Sequence, residues 1–368
     1  MPVSAVAFYI SGHGLGHASR QIAIINALGR IRPDVRVEIR TAAPAWLVEH
    51  TLQVPAQLTV LECDTGAMQR GSLAQDGLAT LRAAAAFHQS LSKLADQEAR
   101  ELTASRARLV VGDVPPLAFA AAARAGVPSV AIANFTWDWI YEDYAADFPE
   151  YADLPAALRE TYSPASAAWR LPMAGGFDGF ALVVDLPWIA QRSRHDRVEA
   201  RKRLGLPIER TAVLLYLGHY GVTGLQLAQH RDAPYTLVAA ENSGVPQDDS
   251  SAHVHFVREA HLHACGLDYQ DLVRAVDVVV TKPGYGIIAA AVANNTALLY
   301  TDRGRFREYG VLVDHMPRVL RCAHMENDVV TSRRWDDEVA HVLGLQRPQE
   351  RPLVNGAEVA AGMIATFL

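Results

Sequence analysis

The chain has 368 residues, half of them hydrophobic and a fifth charged, which is ordinary globular composition with length enough for two domains. A formal net charge of −6 excludes a bulk electrostatic attraction to nucleic acid. Three cysteines, Cys63, Cys265 and Cys322, stand far apart with no CxxC pair and no zinc spacing, so a reduced, cytoplasmic protein without a disulfide framework is expected.

Met1 to Ile10 is a short apolar run that meets glycine at once. It lacks a basic n-region and a small-residue cleavage site, so it reads as a buried first strand rather than a signal peptide. No uninterrupted apolar run reaches the ~18 residues of a membrane span. Ser11 to Gly16 is a glycine-rich turn, Ala18 to Gly29 has helical periodicity, and Val35 to Thr41 is the next strand. One strand–helix–strand unit of this kind implies a right-handed crossover and a parallel sheet. Leu58 to Leu61 is a short third strand, and Leu78 to Ser105 an alanine-rich helix. Leu109 to Val111 is a strand ending at Asp113, after which Pro115 and Pro116 open a helix through Arg124, followed by a strand over Val127 to Ala133.

Asn134 to Gly179 is rich in Trp, Tyr, Pro and acidic residues, and reads as loops and short helices. Its aromatics either form a satellite core or line a site. The second half opens at Ala181 to Val184 and continues through a basic helix within Gln191 to Gly205. Strands are expected at Ala212 to Leu217, Tyr235 to Ala239, Val254 to Val257, Asp277 to Thr281 and Ala297 to Thr301, with a final helix over Ala357 to Phe367. The predicted domains are 1–184 and 185–345, both Rossmann-like, with 346–368 as a crossing segment and helix.

Four motifs carry chemistry. Ser11 to Arg20, SGHGLGHASR, joins a strand to a helix; its glycines let backbone approach a ligand, and the helix N-terminus favours an anion. It is not the dinucleotide fingerprint, because the spacing is G-x-G-x-G. His13 and His17 are candidate bases, or caps and backbone partners of the helix. Asp113 sits at the carboxyl end of a strand, where ligands bind in open α/β sheets; the other reading is an N-cap. Gly218-His219-Tyr220-Gly221 is another strand-end turn. Asp277 to Asn294, DVVVTKPGYGIIAAAVAN, again joins strand to helix, with glycines at the helix N-terminus and Lys282 before them.

Phe8 to Arg20, FYISGHGLGHASR, resembles the opening of the glycosyltransferase-like domain at the N-terminus of L-arabinokinases. More loosely, it is similar to the first loop of the lipid II-forming N-acetylglucosaminyltransferase and of plant small-molecule glycosyltransferases. The stretches 127–141, 277–294 and 302–314 extend the likeness. The resemblance implies an α/β, GT-B fold: two Rossmann-like doubly wound domains facing across a cleft. It implies an acceptor domain in which His17 takes the acceptor proton and Asp113 orients it, with His13, Asn134 and Asp138 as acceptor contacts. It implies a donor site made of Gly14, Gly16, Gly218, His219, Leu267, Lys282, Gly284, Tyr285, Gly286, Arg305 and Glu308; Arg303, Arg305 and Arg307 are cations for phosphate or an acidic sugar, or in part a solvated loop surface. The ribose-binding glutamate of many relatives is replaced by Ala290.

The expectation is therefore an inverting transfer of a sugar from a nucleoside diphosphate to an acceptor hydroxyl or amine, with the sugar nucleotide as co-substrate and no other cofactor. A non-catalytic sugar-nucleotide sensor and a sugar-nucleotide epimerase are the alternatives. The expected partners are the sugar nucleotide and an acceptor, with no nucleic acid; a homodimer is allowed. No metal is expected, although His253, His255, His261 and His263 cluster in sequence.

Overall fold

The computed structural model describes residues 4–71, 74–218, 224–241, 245 and 253–368, leaving aside the side chain of His263. The chain divides into two compact units. The first comprises Met1–Met68, Asp76–Ala190 and Leu353–Leu368; the second comprises Gln69–Gln75 and Gln191–Pro352.

The first unit runs β1 (Ala5–Ile10), α1 (Leu15–Ile31), β2 (Arg36–Thr41), α2 (Ala45–Thr51), β3 (Ala56–Val60), α3 (Gly77–Ser105), β4 (Ala107–Asp113) and α4 (Pro116–Ala125). It continues through β5 (Ser129–Phe135), α5 (Trp137–Ala145), α6 (Leu154–Tyr162), β6 (Ala167–Gly175) and β7 (Val183–Asp185). The seven strands form one parallel sheet in the order β3-β2-β1-β4-β5-β6-β7. All six residues of β1 are buried. A strand covered on both faces has no polar side to alternate with, which is why AVAFYI reads as a continuous apolar run.

Local chemistry sets the helix ends. Asp76 caps α3 by accepting from the Ala79 amide at 3.0 Å. α4 has proline in its first turn and closes at Gly126, whose φ of 65° is the left-handed value glycine takes without strain. In the aromatic stretch, Trp137, Tyr141, Tyr144 and Trp169 are buried, and Trp139 and Tyr151 are partly so. Each such side chain contributes on the order of 2–3 kcal/mol by leaving water.

Two expectations change here. The stretch Asn134 to Gly179 holds β6, a full strand concealed by its arginine, proline and small residues. The run Ala181 to Val184, read as the opening of the second half, contributes to β7, the edge strand of the first sheet.

The second unit runs α7 (Arg197–Leu204), β8 (Thr211–Tyr216), β9 (Tyr235–Ala240), β10 (His255–Val257), α8 (Glu259–Ala264), α9 (Tyr269–Ala275), β11 (Val278–Thr281) and α10 (Tyr285–Asn294). It then adds β12 (Ala297–Tyr300), α11 (Glu308–Val319), β13 (Cys322–His324), α12 (Asn327–Ser332) and α13 (Asp336–Gly344). Its six strands are again all parallel, in the order β10-β9-β8-β11-β12-β13. The edge strand β13 has only three residues and was not legible in the sequence. α9 starts with a capping box in which the Asp268 and Asp271 side chains serve each other's backbone.

The last helix, α14 (Gly356–Ala365), belongs to the first unit. The Gly356 amide donates to the Trp188 carbonyl at 2.8 Å, and a Cβ at 356 would stand 2.2 Å from the Pro187 carbonyl oxygen. Only glycine fits there without moving backbone. Among the described residues no helix is long and apolar enough to cross a membrane.

Candidate active site

Both sheets reverse their winding at one place. In the first unit the chain runs outward from β1 through β2 to β3, then returns to β4 on the other side of β1. In the second, β8 and β11 hold the same relation. Such a switch point opens a crevice at the carboxyl ends of the two central strands, the usual ligand site of an open α/β sheet. The predicted motifs fall on these two places. Ile10 is in register with Asp113, and Tyr216 with Thr281.

In the first unit, Gly14 (φ 72°) precedes α1, and His17 lies in its first turn. The Nδ1 of His17 is 2.8 Å from Oδ1 of Asp113. Arg20, one turn further along α1, places Nε and Nη2 on the two oxygens of Asp113. Gln21 donates to Asp113 Oδ2 at 2.9 Å. Burial raises the Asp113 carboxyl, but the charge of Arg20, then His17, and their hydrogen bonds outweigh it and bring it down to about 2. An ionised carboxylate only accepts, so Nδ1 of His17 carries the hydrogen and the lone pair lies on Nε2. Arg20 Nη2, 2.9 Å from the same Nδ1, has Asp113 Oδ1 as its acceptor.

The sequence alternatives for these residues are removed. The helix after β4 is capped by Pro115 with no side-chain bond, so Asp113 is not its N-cap. The hydrogen bonds of His17 go to side chains. His17 is largely buried, with 6% of its surface exposed, and its ring lies edge-on to Phe135 (5.5 Å) and tilted against Trp137 (6.2 Å).

Sequence reasoning missed two participants. Arg20 closes the SGHGLGHASR motif, where nothing local marks its role. Asp64, in the loop after β3, was not singled out at all. It is buried, accepts from Ser11 Oγ at 2.9 Å and from the Trp137 indole at 2.8 Å. Burial pushes it up to about 6, against the pull of His17 and of its two hydrogen bonds, with Asp113 adding to the push. No local motif marks it, because its partners lie 53 and 73 residues away.

The predicted acceptor contacts divide. His13 is half-buried, edge-on to Trp137 at 5.5 Å, with Nδ1 3.4 Å from the Ala67 amide. Asn134 and Asp138, expected as acceptor contacts, are each 1% exposed. Asn134 Oδ1 accepts from Arg20 Nη1 at 2.6 Å, and Asp138 Oδ2 accepts from Arg159 Nε at 2.9 Å. Asn134 lies at the end of β5 and Asp138 in the first turn of α5, and both side chains are turned to arginine partners.

In the second unit, Gly218 follows β8 with φ 85°. Lys282 follows β11, and a Cβ at 218 would stand 3.4 Å from its Cε. Burial, then the charge of Arg303, draws the Lys282 ammonium down to about 8. Gly284 is the N-cap of α10 and carries no side-chain cap; Tyr285 is buried in the first turn and Gly286 is exposed beside it. Arg303 donates to the Pro283 carbonyl at 3.2 Å and to Glu308 Oε2 at 2.8 Å, with its guanidinium 4.2 Å from the Phe306 ring.

The other residues expected at a donor site differ in their surroundings. Leu267 is 1% exposed and is a core residue, its amide bonded to the Leu262 carbonyl. Glu308 is buried with its carboxylate against Arg303. Of the loop arginines it is Arg303 that turns inward to this pair, while Arg305 is exposed. Gly14 and Gly16 belong to the His17 turn of the first unit. His219 lies outside the described residues. Ala290 sits half-buried on α10.

His255 Nε2 is engaged by the Leu204 carbonyl at 2.9 Å. Among the described residues, the one group of metal-type ligand atoms within 4.8 Å of one another is Asp302, His324 and Glu326, partly to fully exposed. There His324 lies between the two carboxylates, 3.1 Å from one and 3.6 Å from the other, as a bridging partner.

No protein-family model matches the chain. It is similar to the L-arabinokinase of Arabidopsis thaliana, 27% identical over 97% of this chain but only 34% of that protein, so the chain spans about a third of its relative's length. Among solved structures it is similar to the glycotransferase of kitacinnamycin, with a TM-score of 0.66 at 15% identity and all of both chains covered. It is also similar to a UDP-glucosyltransferase from Polygonum tinctorium, with a TM-score of 0.60 at 15% identity over 99% of this chain and 94% of that one. With two parallel-sheet α/β units, the fold is GT-B.

Proposed function

We infer that the protein is a glycosyltransferase that moves a sugar from a nucleoside diphosphate to an acceptor hydroxyl or amine, with inversion. The observation that carries this reading is the His17–Asp113 contact at the switch point of the first sheet, in the tautomer that leaves Nε2 basic. In the proposed step, the acceptor O–H proton passes to Nε2 of His17. The oxygen forms its bond to the anomeric carbon as the bond from that carbon to the diphosphate oxygen breaks, and the diphosphate leaves as an anion. Asp113 holds the ring in its tautomer. The second unit supports the leaving group through the Gly218 turn, the N-terminus of α10 at Gly284, Lys282 and Arg303. Fixed dipoles and cations of this kind commonly give the largest catalytic contribution.

A sugar-nucleotide sensor is the second reading, favoured by Ala290, which places no carboxylate on α10 for ribose hydroxyls. A melting-temperature screen over nucleoside diphosphates and their sugars, followed by product analysis with the stabilising donor, separates the two. A ligand that binds only the native state raises the midpoint. Stabilisation with transfer or slow donor hydrolysis, lost in His17→Gln, supports the transferase. Stabilisation with neither supports the sensor.

A further inference from the structure

We propose that the second unit carries an anion site separate from the Gly218–Lys282 turn: an arginine pocket at the amino end of its sheet that takes a phosphate dianion, free or as the end group of a small ester. The inference uses none of the residues of the transferase reading and does not depend on it. The pocket is a partly open cavity of about 300 Å³, mouth included, lined by Arg321, Arg347 and Arg351 with Asn295, Thr296 and Pro348 among its other walls. Cavities that bury a drug-sized ligand start near this volume, so the space suits a phosphate group and is too small for a whole sugar nucleotide. Thr296 precedes β12 and Arg321 precedes β13; the Leu298 amide donates to the Arg321 carbonyl at 2.9 Å and ties the two strands there. Lys282 follows the carboxyl end of β11 in the same parallel sheet. The four residues of β12 therefore set the two places on the order of 10 Å apart.

The charge of the pocket is not met by the protein. No carboxylate lines it, and among the described residues none forms an ion pair with any of the three arginines. Arg321 Nη1 donates to the Leu343 carbonyl at 2.7 Å, and Arg351 Nη1 donates to the Pro348 and Glu350 carbonyls. Among the described residues Arg347 makes no hydrogen bond. Burial, then the charge of Arg347, draws the Arg321 guanidinium down, and Asp277 opposes this from a distance. Asp277 is itself held by Arg197 and Arg201. A single exposed arginine without a partner is ordinary; three on one cavity are a surplus. Helix ends offset part of it, because α10 ends at Asn295, α11 ends at Leu320, and Leu343 lies in the last turn of α13. Each carboxyl end carries about half a negative charge, roughly −1.5 in all against +3 from the arginines. The remainder matches an anion of more than one charge. Planar guanidiniums that offer paired N–H groups fit phosphate oxygens. Pro348 and Pro352 restrict the backbone of the segment that carries Arg347 and Arg351.

Titration calorimetry of the full chain with inorganic phosphate and with phenyl phosphate, at constant ionic strength, tests the site. Binding of inorganic phosphate alone identifies a free-ion site, and binding of both identifies one that accepts an ester. Phosphate could also enter the Gly218–Lys282 turn, so two variants are compared. Arg347→Gln combined with Arg351→Gln removes two exposed guanidiniums that hydrogen-bond nothing outside their own segment, so it should fold. It should weaken phosphate by about tenfold or more, and it should keep the parental stabilisation by a nucleoside diphosphate. Lys282→Met should bind phosphate as the parent does. A parent that binds no phosphate at millimolar concentration, an arginine variant that binds it with parental affinity, or a loss in Lys282→Met as large as that in the arginine variant overturns the proposal. A protein that binds phosphate through these arginines but transfers no sugar would sink the functional reading and leave this one standing.

Discussion

Lys282 lies over Gly218: a Cβ at 218 would stand 3.4 Å from its Cε and 3.6 Å from its Nζ. With φ at 85°, Gly218→Ala also meets a backbone conformation that costs an L-residue roughly 1–2 kcal/mol. The variant should fold with a lower melting temperature. Because the turn must change its backbone to accept a side chain, it should also lose most of the stabilisation a nucleoside diphosphate gives the parent. Calorimetry with and without the nucleotide reads both effects. An unchanged nucleotide shift would mean that this turn does not hold the diphosphate.

Lys282 also predicts a pH dependence. Burial and Arg303 bring it to about 8, so its charge is present below that pH and lost above it. Diphosphate affinity should therefore weaken as pH rises through 8, apart from any upward shift the bound anion itself induces. Lys282→Met should bind more weakly and show a flat profile over this range. Titration calorimetry at pH 7 and pH 9 provides the comparison.

Asp113 should matter to stability as well as to chemistry. Asp113→Ala leaves the Arg20 guanidinium buried without its main partner, a class of change that costs about 3–5 kcal/mol. Asp113→Asn keeps the shape, but its amide cannot hold the His17 tautomer. It should remain folded and lose transfer by roughly three to four orders of magnitude. Urea denaturation and initial rates separate the two effects. Equal rates in parent and Asn variant would remove Asp113 from the proposed mechanism.

Asp64 and Asp113 pull acid stability in opposite directions. The folded pKa of Asp113 is depressed to about 2, so its contribution is full above the unfolded value near 3.8 and is lost as pH falls through 2. The folded pKa of Asp64 is raised to about 6, so the unfolded chain releases that proton first. The folded state is then penalised progressively from near pH 4 to pH 6 and by a constant amount above, about 3 kcal/mol for the roughly two-unit gap. Asp64→Asn should abolish that slope. Its stability relative to the parent should improve between pH 4 and pH 7 in urea titrations, and a constant difference would contradict the assignment.

The frame of the first unit was legible because a buried parallel strand, a glycine turn and a periodic helix leave local marks. Phe8 to Arg20 shows all three. The histidine and the aspartate stood out because each is a polar residue at a strand end. What was not legible is pairing across the chain. Asp64 meets Ser11 and Trp137 only after β1, β3 and β5 are assembled, and Arg20 looks like any helical arginine until Asp113 arrives beside it. Burial was equally hidden. Asn134, Asp138, Leu267 and Glu308 gave no sign in the sequence that they are buried, yet Asn134 meets Arg20, Asp138 meets Arg159, Glu308 meets Arg303 and Leu267 lies in the core. Short edge strands such as β7 and β13 carry too few residues to show a period.

Gly66 tests the wall beside His17. It has φ 62°, and a Cβ there would stand 2.6 Å from the His13 Cβ. Gly66→Ala should displace His13 and loosen its contact with Trp137, raising the acceptor KM more than it lowers kcat. Steady-state kinetics with the acceptor varied would show a KM near the parent value if His13 plays no part in acceptor binding.

The most direct measurement is the release of nucleoside diphosphate from whichever donor stabilises the protein, by the parent and by His17→Gln, with both variants confirmed to bind that donor equally. General-base removal should slow turnover by roughly two to four orders of magnitude while donor affinity stays the same. A His17→Gln protein that releases the diphosphate and forms the glycoside at the parental rate would contradict the assignment of His17 as the base.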